Sequence, residues 1–133
     1  ALGIDNCLIQ VNGPEFPFKV FMIDWDREVL YDRINRRVGI MIDNGLISEA
    51  KMLLEKNVDR KSTCWQAIGY KEMLKFLEGE EILDQAADRI RIGTRHYAKR
   101  QLTWLRSMGD DVTLIKPGDP RKNAGIVLGL CKK

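Results

Sequence analysis

The chain has 133 residues, 44% of them hydrophobic and 31% charged, with 22 basic against 19 acidic side chains for a net charge of +3. That suffices for one domain with a buried core, or a compact part of a larger protein. No apolar run approaches the roughly 18 to 20 residues that a membrane span needs, so no membrane partner is expected.

The opening Ala1-Leu2-Gly3-Ile4 meets Asp5 and Asn6 at once, so no secretory signal is expected, and the absent initiator methionine suggests a trimmed or excised segment. Residues 1–17, with Gly3, Gly13, Pro14 and Pro17, read as an irregular lead-in. Phe18 to Ile23 is apolar and rich in aromatic and β-branched residues, which predicts a short strand. Asp26 is placed to cap a helix running to about Asp43, with Leu30, Ile34, Val38 and Met41 as its inner stripe and Gly45 closing it. A second helix is predicted over Ile47 to Lys56 with Ala50, Leu53 and Leu54 inward. The polar stretch 57–63 reads as a loop, and Gly69 to Glu78 as a shorter helix stopped by Gly79. The longest helix runs from about Ile82 to Met108, and Val112 to Ile115 reads as a second short strand. Pro117, Gly118 and Pro120 break the chain, leaving a tail from Asn123 that is a weak helix or disordered. The expected fold class is mainly α with one or two short strands.

The long helix carries the sharpest pattern. At 3.6 residues per turn, Arg89, Arg91, Arg95, His96, Lys99, Arg100 and Arg106 share one side, while Ala86, Ile90, Tyr97, Trp104 and Leu105 share the other. A packed back with a cationic front suits a phosphate backbone, since each contact adds salt-dependent affinity. The plainer reading is a solvated face. Against it stand Thr94 and Gln101, which project into the apolar side, where an unpartnered amide or hydroxyl costs free energy.

Arg37 lies three residues after Ile34 and four before Met41, so it points towards the inner stripe. It either snorkels, faces a carboxylate, or holds its planar fork ready for a phosphate or diphosphate. Ser62-Thr63-Cys64-Trp65-Gln66 precede Ala67-Ile68-Gly69 and a helix, a junction whose N–H and hydroxyl groups can meet an anion. It is equally an ordinary helix entry with Trp65 filling the core. No Gly-x-x-x-x-Gly-Lys-Ser/Thr loop and no Gly-x-Gly-x-x-Gly occurs in the sequence. Cys7, Cys64 and Cys131 are widely spaced, forming neither a metal-ligand pattern nor a disulfide framework, which with one histidine predicts no metal site and a reducing, cytoplasmic setting.

Three blocks, Asp26 to Val38, Gln66 to Glu72 and Thr94 to Arg106, together make the chain resemble the C-terminal portion of a bacterial-type tRNA dimethylallyltransferase, or tRNA isopentenyltransferase. The resemblance spans about residues 18–116, with 1–17 matching poorly and 117–133 as a tail. It implies the helical part of a P-loop-type α/β enzyme that moves a dimethylallyl group from its diphosphate to N6 of an adenosine beside the tRNA anticodon. It further implies that Arg37 binds the diphosphate. The tRNA anticodon stem-loop would be met by Ser62, Thr63, Cys64, Trp65 and Gln66, and by Thr94, Arg95, His96, Tyr97, Lys99, Arg100 and Gln101. The family's phosphate loop, catalytic aspartate and Mg2+ site lie upstream of the matching region. The expectation is therefore a fragment or one part of a split enzyme, binding no cofactor and inactive without the missing N-terminal catalytic portion. The alternative is a non-enzymatic helical RNA-binding module that keeps only the basic face.

Overall fold

The computed structural model describes residues 18–131 of the chain, and the lead-in 1–17, with Cys7, lies outside them. Two short strands, β1 (Val20–Ile23) and β2 (Val112–Ile115), pair in parallel with Val20 opposite Val112 and Ile23 opposite Ile115. A parallel pair needs a long crossover, and here four helices make it: α1 (Arg27–Asp43), α2 (Leu46–Glu55), α3 (Tyr70–Leu77) and α4 (Leu83–Ser107). A last helix, α5 (Pro120–Cys131), follows β2. The mainly helical class with two short strands agrees with the sequence reading.

Local chemistry sets most helix ends. Asp26 accepts from the backbone N–H of Glu28 (2.9 Å) and Val29 (3.3 Å), capping α1. Gly45, at φ +106°, ends α1 and starts α2 in a conformation that favours glycine. The sequence reading misplaced two features. Residues Thr63–Gln66 form a short 3-10 helix that starts at the last residue of the stretch read as loop and is not expected from the sequence, because so short an element has no periodicity. Pro120 opens α5 rather than breaking the chain: Asp119 accepts from the N–H groups of Arg121 and Lys122, each at 3.0 Å, and proline suits the first helical position.

The core is helical. Val38, Leu46, Ala50, Met73, Ala86 and Ile90 form one buried cluster, with Met41, Tyr70, Phe76 and Leu83 packed around it. On the sheet, Met22 and Ile115 are buried on opposite faces, while Leu114 stays exposed. No helix among the described residues is long and apolar enough to cross a membrane.

Full burial of the apolar back expected for the long helix ends halfway along it, although Leu105 stays half-buried. Ala86, Ala87 and Ile90 are buried, but Tyr97 is 50% and Trp104 65% exposed. α4 has 25 residues and α3 only 8, so at about 1.5 Å per residue α4 extends far past its shorter neighbour. Near its far end it is tied to the sheet instead, by Arg106 donating to Asp24 at 3.3 Å.

Candidate functional site

The cationic front of α4 is not continuous. Arg89 bonds the Glu81 carboxylate at 2.8 Å, with Lys75 on the same oxygen at 3.7 Å, and Arg91 bonds Asp88 at 2.6 Å. Arg95 turns to α1, where its guanidinium donates to Asn35 Oδ1 and lies 5.4 Å from the Tyr31 ring centre. Arg106 is taken by Asp24. That leaves His96, Lys99 and Arg100, none of which pairs with a carboxylate among the described residues; Arg100 lies over the Tyr97 ring at 5.8 Å. These three line an open concavity of about 640 Å³ together with Thr103, Trp104 and Ser107. Among the described residues no acidic side chain lines it, so an anion meets uncompensated positive charge there.

Neither polar residue set against the solvated-face reading needs a substrate. Thr94 Oγ1 donates to the carbonyl of Ile90 at 2.7 Å inside its own helix, and Gln101 is exposed to solvent.

Arg37 is exposed and does not join the inner stripe. The buried arc of α1 centres on Ile34 and Val38, and at about 100° per residue Arg37 sits well off that arc. It lines a shallow concavity of about 400 Å³ with Leu30, Arg33, Ile34, Arg36 and Ile40. Of the three arginines there, Arg33 is stacked over Trp25 at 4.4 Å and Arg36 bridges Asp32 at 2.9 Å. Arg37 alone of them has no such partner among the described residues. Its fork of donors is therefore free to meet a planar or tetrahedral anion.

The junction at Ser62–Gln66 divides. Trp65 is 4% exposed, with Nε1 donating to the Val58 carbonyl at 3.3 Å, so it fills the core as the ordinary reading had it. Thr63 and Gln66 are exposed, and the half-buried Cys64 thiol donates to Ser62 Oγ at 3.4 Å. The Gly69 N–H, one of the junction's backbone donors, is already bonded to Glu72 Oε2 at 2.8 Å. The sequence reading did not select Trp104, Thr103 or Ser107. Their spacing from His96 along one helix line is readable, but the exposure of Trp104 depends on which helices pack beside it.

Residues 6–108 match a family model described as IPP transferase. A tRNA dimethylallyltransferase from Acetivibrio thermocellus is 45% identical over 97 residues, covering 73% of this chain and 31% of the relative. One from Halalkalibacterium halodurans is 50% identical over 93 residues, covering 68% and 29%. The solved full-length tRNA isopentenylpyrophosphate transferase of Bacillus halodurans superposes with a TM-score of 0.80 at 39% identity, over 93% of this chain and 41% of that one. A tRNA isopentenylpyrophosphate transferase from Staphylococcus epidermidis gives 0.75 at 33% identity, over 86% and 38%. The chain thus spans less than a third of the length of these two curated relatives.

Proposed function

The chain belongs to the IPP transferase family, and from that premise we propose that it is the part of a tRNA dimethylallyltransferase that holds tRNA and steadies the leaving diphosphate. One observation carries the reading. Among the described residues, His96, Lys99 and Arg100 have no carboxylate partner, while the cations on either side are consumed. In this reading they meet phosphates of the anticodon stem-loop, with Thr63 and Gln66 as further polar contacts.

The transfer forms a bond from adenosine N6 to C1 of the dimethylallyl group as the bond from C1 to the diphosphate oxygen breaks. The diphosphate leaves with that electron pair, and the N6 proton goes to a carboxylate base expected in the upstream portion. Arg37, unpaired on a rigid helix, offsets the charge growing on the departing diphosphate, which lowers the barrier more than it tightens the ground state. Among the described residues no group of three His, Cys, Asp or Glu side chains is disposed to hold a metal, so these residues do not fit the Mg2+ expected of the complete enzyme.

The test joins this chain to the upstream portion that its relatives carry and measures transfer to tRNA. Arg37→Ala is expected to lower kcat about 100-fold or more. Arg36→Ala, which removes only an exposed pair with Asp32, is expected to stay within about twofold. Normal turnover of Arg37→Ala at limiting dimethylallyl diphosphate removes that residue from the role. tRNA binding that never leads to transfer favours the non-enzymatic module instead.

A further inference from the structure

The three tryptophans differ in what covers their rings. Trp65 is buried with its N–H bonded, and Trp25 is half-buried beneath the Arg33 guanidinium. Trp104 is 65% exposed, and among the described residues neither a hydrogen bond at Nε1 nor a stacked cation accounts for it. Its neighbours in the concavity are His96, Lys99, Arg100, Thr103 and Ser107, all polar or cationic. A seat for a protein partner places further apolar side chains around an exposed indole, and here none of the other lining residues is apolar. Tyr97, half exposed, lies seven residues before Trp104 on the same line of the helix, with Arg100 over its ring. Aromatic faces interleaved with cations are what a single-stranded nucleic acid needs: a flat surface for a base and charge for the flanking phosphates.

We propose that Trp104 is a stacking platform for an unpaired RNA base, with Lys99 and Arg100 holding the phosphates beside it. The inference rests on the tRNA reading above and adds which ring the loop meets and by what interaction. Stacking uses the π face and tolerates any base, so Trp104 contributes affinity for unpaired nucleotides rather than sequence choice. A duplex, whose bases are already stacked, gains only the phosphate contacts.

The experiment titrates the chain with an unstructured RNA decamer and with the same sequence paired in a duplex, following tryptophan fluorescence. The wild type is expected to show quenching with the decamer. Trp104→Leu is expected to weaken decamer binding about tenfold or more while leaving duplex binding unchanged, and Trp104→Phe to retain most of the affinity. Lys99→Ala with Arg100→Ala is expected to weaken both ligands and flatten the salt dependence. Decamer binding by Trp104→Leu equal to wild type overturns the stacking role, as does equal loss in the Phe and Leu variants. If the Lys99 and Arg100 changes still weaken tRNA binding in that case, the tRNA reading stands and only the platform falls. No binding of either RNA at low salt overturns both.

Discussion

From Leu83 to Arg95, α4 is packed against α1 and α3, and its cations are bonded to Glu81, Asp88 and Asn35. From His96 to Ser107 the same helix carries similar side chains, yet its aromatic residues are exposed and its central cations lack carboxylates among the described residues. Amphipathic patterning is alike in the two halves, so the pattern does not decide their fates. The neighbours do: a cation beside a carboxylate on a packed helix becomes part of the scaffold, while one beyond the packing stays available to a ligand. On this view the first half sets stability and the second sets binding.

The sharpest way to break that division is to truncate one apolar side chain in each half. Ile90 is 1% exposed within the main core cluster, so Ile90→Ala is expected to cost about 2–5 kcal/mol, from lost burial and the cavity left behind. Trp104→Ala removes a larger side chain but is expected to change stability by less than about 0.5 kcal/mol, because the ring is mostly solvated. Urea midpoints for the two variants check this. A large loss at Trp104 would mean that the far half of α4 is also scaffold.

Local signals made much of this fold legible. Asp26, Gly45 and Gly79 mark helix ends through chemistry within a few residues, and the sequence reading placed those ends correctly. The inner positions Ile34, Val38, Ala50, Ala86 and Ile90 follow from helical spacing alone. What failed depended on distant partners. Arg95 belongs by spacing to the cationic front, but Asn35, sixty positions away, takes its guanidinium. Trp104 belongs by spacing to the apolar back, yet it is 65% exposed, because spacing along one helix does not say which neighbours cover it. Arg37 followed from its spacing to Ile34 and Met41, which mislocated it because the buried arc is narrower than the stripe from Leu30 to Met41 implies.

Arg95 allows a finer test, since it is a cation on the boundary. Its bond to Asn35 and its place beside Tyr31 tie α4 to α1, so Arg95→Ala is expected to cost about 1–3 kcal/mol. A double-mutant cycle with Asn35→Ala is expected to give a coupling of at least about 0.5 kcal/mol. The salt dependence of tRNA binding should keep its slope in Arg95→Ala, in contrast to Lys99→Ala. A shallower slope in Arg95→Ala with unchanged stability would move Arg95 to the binding half.

The smallest effect expected concerns a link within the scaffold itself. The Tyr70 hydroxyl donates to Glu49 at 3.2 Å, joining α3 to α2. Partial burial, then the hydrogen bond and charge of Glu49, then Cys64, hold its phenol above the ordinary 10.0. Ionisation is thus harder in the folded chain than in the unfolded one. The folded state keeps its full stability below that ordinary value and loses part of it as pH rises towards the raised one. Tyr70→Phe is expected to cost about 0.5–1.5 kcal/mol near neutral pH and to flatten the alkaline decline. Urea midpoints near neutral pH and above the ordinary phenol value compare the two proteins, and an equal alkaline decline in both would show that other groups govern it. RNA affinity near neutral pH should not respond to this change, because Tyr70 braces helices on the packed side while Lys99 and Arg100 stand beyond it.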